Sequence, residues 1–230
     1  MRLALVCVVS LGLVRGAAAE PCPMFGLESK VLKEDATVSQ EGGVVVAEVP
    51  AMLGGDKKPS PDRSAWKLRV KGKANAATPA VLAPGLVVYR PPATTAPYEV
   101  LDAAGKRAGK AKVMTKEAEL LAAPAVKAIV SGESRGRHPS VFVTVELSAA
   151  PPKDAIALVV GPAKGPAHAW GRAFPDSPAI GVYSTQGGCI SMFPDGTVIS
   201  QPGDRLVAFW VDAYGRRSRV SPMVVVEKAP

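Results

Sequence analysis

Leu101-Asp102-Ala103-Ala104-Gly105-Lys106-Arg107 and Val211-Asp212-Ala213-Tyr214-Gly215-Arg216-Arg217 align without a gap, 110 positions apart, and share Asp, Ala, Gly and Arg in register. The shared positions meet a physical demand. A chain that reverses direction tolerates Asp where the turn starts and wants Gly where the backbone must become left-handed. Each copy follows an apolar strand (98–101 and 206–211) and precedes another (111–114 and 223–226). Each therefore reads as the closing hairpin of a module, and the repeat divides the chain in two. A second match at nearly the same spacing, Gly85-Leu86-Val87-Val88 against Gly196-Thr197-Val198-Ile199, extends the duplication upstream.

Working outward from the hairpins, the chain is a series of short runs rich in β-branched residues, punctuated by 22 Gly and 22 Pro. Such runs lie at 44–49, 66–70, 86–89, 141–147, 156–160, 197–199, 206–211 and 223–226, and several alternate apolar with polar, as Val143-Thr144-Val145-Glu146-Leu147 does. Only 116–127 has helical composition. Pro124 interrupts it, so it reads as a connector with one or two helical turns and few contacts across it. The expected fold is all-β, with two tandem β-sandwich domains. Residues 20–117 form the first, including an N-terminal strap; 118–127 are the connector, and 128–230 form the second. Each is expected to fold alone.

Residues 1–19 have the three parts of a cleavable export signal. Arg2 gives the positive start, residues 3–14 an apolar run, and Ala17-Ala18-Ala19 a small-residue cut site before Glu20. The run is shorter than the ~20 apolar residues a membrane span needs, so no span is expected after cleavage. The expected location is secreted, periplasmic or cell-surface. In that compartment disulfides persist, and the two cysteines left after cleavage, Cys22 and Cys189, are expected to bridge and to strap the N-terminal segment onto the second half. Cleavage removes Arg2 and Arg15 but no acid, which lowers the net charge from +8 to about +6.

The hairpin at 211–217 and the Val-rich strand at 223–226 resemble the last two strands of immunoglobulin-like and fibronectin type III-like modules in bacterial exported proteins. The resemblance covers about one hundred residues per copy and implies two β-sandwiches. No cysteine pair spans either sandwich, and Tyr98 and Tyr214 are not where a tyrosine corner would stand. Such modules serve alike as adhesins, spacers, chaperones and substrate-binding modules, so the fold implies little about function; the expected role is non-enzymatic, in binding or as a structural spacer, with no ligand named.

Two chemistries compete with that reading. His138, His168, Cys189 and Met192 hold the inventory of a blue-copper site, but only Ile190 and Ser191 separate the Cys from the Met, where the cupredoxin pattern needs a His. No cofactor is therefore expected. The stretch from His168 through Gly188-Cys189-Ile190-Ser191-Met192 is similar to the L,D-transpeptidase motif, and this implies an alternative enzyme with Cys189 as nucleophile and His168 as base. Against it, Ser191 stands where that motif has Arg, and Gln186 and Gly187 stand where it has Ser and His. No P-loop or dinucleotide fingerprint occurs. Of three tryptophans, Trp66 and Trp210 flank or lie in apolar strands and read as core, whereas Trp170, in the Gly- and Pro-rich 161–178 loop, reads as exposed.

Both hairpins are basic. Lys106, Arg107, Lys110 and Lys112 follow the first turn, and Arg216, Arg217 and Arg219 the second. Turn residues point into water, so these seven are the candidate contacts with an anionic envelope polymer, presented as paired cationic patches. Another exported protein is the alternative partner, and no nucleic-acid partner is expected.

Overall fold

The computed structural model describes residues 25–39, 41–52, 66–76, 79–90, 96–114, 116, 118–134, 140–186 and 196–230. The expected signal segment lies outside them. The described residues are all-β and form sixteen strands. No helix among the described residues is long and apolar enough to cross a membrane.

The first nine strands are β1 (Phe25–Val31), β2 (Asp35–Val38), β3 (Val44–Met52), β4 (Lys67–Val70), β5 (Lys73–Ala76), β6 (Pro79–Ala83), β7 (Leu86–Tyr89), β8 (Tyr98–Leu101) and β9 (Arg107–Val113). They form a four-stranded sheet, β1-β3-β7-β6, and a five-stranded sheet, β2-β9-β8-β4-β5. This is the immunoglobulin strand order, in which the first strand divides between sheets. Here β1 pairs antiparallel with β3, and after a short bend β2 pairs parallel with β9. Period-two alternation sends Val44, Val46, Val87 and Tyr89 from one sheet against Leu68, Tyr98, Val100, Ala111 and Val113 from the other. Trp66 stacks on Tyr89 with ring centroids 5.9 Å apart.

The remaining strands are β10 (Val126–Ser134), β11 (Ser140–Leu147), β12 (Ala155–Gly161), β13 (Ala169–Arg172), β14 (Ala179–Gln186), β15 (Arg205–Asp212) and β16 (Val224–Lys228). They are hydrogen-bonded in the order β13-β12-β15-β16-β10-β11-β14. The sheet folds over its own core, where Leu158, Leu206, Ala208 and Trp210 meet Val143, Val145, Ile180 and Val182. Its two ends come together at β13 and β14, where a Cβ on Gly171 would collide with the carbonyl oxygen of Gly181. As in the first sandwich, the last strand runs parallel to the first, with Ile129 opposite Val226.

The two sandwiches are joined by a third apolar cluster. Val45, Ala47, Leu86 and Val88 point away from the first core and pack with Ala157, Val159, Phe209 and Val211, which point away from the second. β7, β12 and β15 are thus buried on both faces, and their near-continuous apolar runs record that. The expectation of few contacts across the connector does not hold.

Four local expectations also change. Residues 118–125 contain no helical turn, because the carbonyls of Ala118 and Glu119 accept from the Arg216 side chain instead of from later amides. The 197–199 run is not a strand. The β7 counterpart in the second half is β14, on the same side of the sandwich, so the upstream match of the repeat does not align equivalent elements. β13 lies inside the expected 161–178 loop and carries Trp170, which is half-buried against the third cluster.

Because the junction is a core rather than a hinge, Phe209→Ala is expected to cost about 3–5 kcal/mol. Calorimetry should still show one cooperative transition, and a fragment of residues 125–230 should bind a hydrophobic dye through its uncovered face.

Tyr98 is buried at the start of β8 and its hydroxyl has no hydrogen-bond partner among the described residues. Burial pushes its phenol well above the ordinary value of about 10. The neutral form is favoured when folded, so this contribution is present below pH 10 and is lost as pH rises past it. Tyr98→Phe should leave neutral-pH stability unchanged or raise it by up to about 1 kcal/mol. It should also move alkaline unfolding, followed by circular dichroism, to higher pH.

Candidate functional site

The two repeated turns are built on the same hydrogen bonds. The amide of Gly105 donates to the Asp102 carbonyl at 2.9 Å and that of Gly215 to the Asp212 carbonyl at 3.0 Å. In each, the aspartate Oδ1 accepts from the amide four residues on, Lys106 or Arg216, at 2.8 Å. Gly105 and Gly215 have φ of 78° and 77°, the left-handed geometry the sequence required of them.

Their surroundings differ. The first turn is open to solvent, and Lys106 and Arg107 are exposed. The second is wedged between the sandwiches. The carbonyl of Tyr214 accepts from the amides of Ser39 and Gly43 at 3.3 and 3.2 Å, and a Cβ on Gly42, Gly43 or Gly215 would strike backbone of the opposing segment or of β7. Arg216 is only 8% exposed. Its Nη2 lies 2.8 Å from Asp212 Oδ2, and its Nη1 and Nη2 donate to the carbonyls of Ala118 and Glu119 at 2.6 and 3.0 Å. Arg216 therefore does not face solvent; it clamps the turn to the connector, while the Tyr214 carbonyl ties the turn to the first sandwich. Arg217 lies over the Phe209 ring at 3.9 Å, at the rim of the apolar junction. Of the second group only Arg217 and Arg219 are exposed.

The hairpins are not side by side. The 102–106 turn precedes β9 on the side of Glu34, whereas the 212–216 turn contacts Ser39, past the end where Met114 bonds to Val38. The seven residues of β9 separate them by roughly 23 Å. A single paired patch is not formed.

What the first group does belong to is the outer face of the five-stranded sheet. Lys110 and Lys112 alternate on β9 with buried Ala111 and Val113, and Lys67 and Arg69 flank buried Leu68 on β4. Glu99 on β8 lies between them, 3.1 Å from Arg69 and 3.7 Å from Arg107. Asp35 stands opposite Lys110. A shallow cleft of about 340 Å³ opens beside these groups, lined by Glu34, Asp35, Arg107 and Lys110. The face therefore carries five cations, Lys67, Arg69, Arg107, Lys110 and Lys112, around three acids, Glu34, Asp35 and Glu99. Lys67 and Arg69 were missed in the sequence because they lie far from the hairpin and join β9 only through sheet pairing.

Cys22, Cys189, His138 and Met192 lie outside the described residues. His168 precedes β13, and its Nδ1 lies 3.2 Å from the Oγ of Ser200, a buried residue whose carbonyl accepts from Ser131. No group of three metal-ligating side chains occurs among the described residues. Trp66 and Trp210 are buried, as their apolar neighbours suggested.

No family model and no curated protein matches the sequence. Among solved structures, the chain is similar to the tandem Ig repeats of Dlar at 13% identity, with 90% of this chain and 100% of that one covered and a TM-score of 0.30. It is also similar to SGBP-B of the Bacteroides ovatus mixed-linkage glucan utilization locus, solved with a mixed-linkage heptasaccharide. There the identity is 12%, 86% of this chain and 46% of that one are covered, and the TM-score is 0.20. The chain spans less than half the length of that second protein.

Removing one partner of the buried pair leaves the other charge uncompensated, so Arg216→Ser should cost about 3–5 kcal/mol in a denaturant titration. Arg219→Ser, on the surface, should stay within about 0.5 kcal/mol of the native protein.

Proposed function

We propose that this is an exported, non-enzymatic binding and spacer protein that contacts an anionic polymer through the outer face of the five-stranded sheet. The observation that carries the reading is the buried junction between the sandwiches. Val45, Ala47, Leu86 and Val88 against Ala157, Val159, Phe209 and Val211 hold the two sandwiches in a fixed orientation, which suits a rigid presenting element. It leaves the five-stranded sheet, on the far side of the first sandwich, free to present its charge.

The five cations on that face outnumber its acids, and Lys110 and Lys112 project together on successive outward positions of β9. Long-range attraction between such exposed charges and a polyanion is screened beyond about 8 Å at physiological salt, so binding should weaken steeply as salt rises. The proposed units are an export signal at 1–19, a first module at 20–117 and a second at 128–230, with a connector at 118–127 whose last residues already enter β10.

The test is retention on an anionic matrix. A variant with Arg107, Lys110 and Lys112 changed to Ser should elute at clearly lower salt, while Arg217→Ser with Arg219→Ser should elute close to the native protein. Equal elution of all three proteins overturns the assignment of the face.

The cysteine-enzyme alternative separates through its thiol. Peptide mapping of unreduced protein should recover Cys22 joined to Cys189. A free thiolate-reactive Cys189 would favour a nucleophile paired with His168 instead.

A further inference from the structure

β13 presents a row that the charge analysis did not absorb. Ala169, Gly171 and Ala173 are buried, and alternation turns Trp170, Arg172 and Phe174 to the opposite face. The row begins at the junction, where Trp170 packs against the apolar cluster, and runs out to Phe174, which is 55% exposed. The guanidinium carbon of Arg172 lies 5.6 Å from the Phe174 ring centroid. No carboxylate among the described residues forms an ion pair with Arg172, whereas Arg69 and Arg107 share Glu99 and Arg216 has Asp212. A cation held over a ring keeps its in-plane donors directed outward, and a guanidinium offers them in the fork that matches a carboxylate.

The shape of the row selects the ligand. From Trp170 to Phe174 it is roughly 13 Å long, but it is one strand wide. On one side, Val159 and Ala157, the β12 partners of Trp170 and Arg172, are covered by the first sandwich. On the other, β13 is the terminal strand of the sheet, and β14 packs against its buried side at the contact of Gly171 with Gly181. A folded protein partner needs about 800 Å² on each side, which a single strand does not supply. A linear chain with apolar ring faces and a carboxylate fits all of these limits.

We propose that Trp170, Arg172 and Phe174 bind an acidic polysaccharide, with pyranose faces on the two aromatic rings and a uronate carboxylate on the Arg172 guanidinium. The site shares only its ligand class with the proposed function and stands on different residues in the other sandwich.

Tryptophan fluorescence tests it in the full chain. Trp66 and Trp210 are 3% and 2% exposed, so a response to added saccharide reports Trp170. Titration with an oligogalacturonate should give a saturable change, and the methyl-esterified form of the same oligosaccharide should bind about tenfold or more weakly, the scale of one lost charge-assisted pair. Arg172→Gln should bring the acid down to the level of its ester without changing the ester, and Phe174→Ala should weaken both. The variant with Arg107, Lys110 and Lys112 changed to Ser should bind oligogalacturonate as the native protein does, even though it leaves an anionic matrix earlier. The inference is overturned if the native protein gives no response, if acid and ester bind equally, if Arg172→Gln binds the acid unchanged, or if an oligoglutamate peptide binds as tightly as the saccharide.

Discussion

Everything in this structure rests on two pairs of strands having no polar face. β3 and β7 in the first sandwich, and β12 and β15 in the second, each send one set of side chains into their own core and the other set into the shared junction. A sandwich in water normally exposes the outer face of both sheets. Here two such faces are apolar, and the only way to take them out of water is to press them together. The position of each sandwich is therefore a consequence of hydrophobic burial, and the connector merely spans a distance that the cores have set.

The turn at 212–216 shows how one local solution can be put to two uses. The Asp-x-x-Gly hydrogen bonds are the same in both copies, so the turn forms from local chemistry alone. What differs is the residue that follows the glycine. Lys106 is a compact ammonium on a flexible stem and stays in water, whereas Arg216 has a planar fork that can satisfy Asp212 and two carbonyls at once. Glycines at 42, 43 and 215 then let the backbones approach more closely than any side chain would permit.

The all-β class and the hairpins were legible, since alternation, Gly and Pro punctuation and the turn chemistry are local signals. Trp66 and Trp210, read as core from their apolar neighbours, are core. What was illegible required knowing which surfaces meet. The uninterrupted run from Leu206 to Val211 was visible, yet a strand buried within its own sandwich and one buried between two look alike in one dimension. Arg216 followed a turn, and turn residues usually face water; nothing local signalled that the turn would be covered. β13 was hidden because its four residues include Gly171, whose smallness serves the contact with β14. The cationic face escaped for a similar reason, being assembled from β4 and β9, which are far apart in the chain and neighbours only through β8.

In both sandwiches the strand that leaves is paired parallel to the strand that enters: β9 beside β2, and β16 beside β10. Pulling on the two ends of the chain drags each such pair lengthwise in opposite directions. Their hydrogen bonds then lie across the line of force and must give way together, where a hairpin pulled from its open end would lose its bonds singly, in sequence. Joined through a junction that neither sandwich can leave without exposing its outer sheet, the two clamps lie in series.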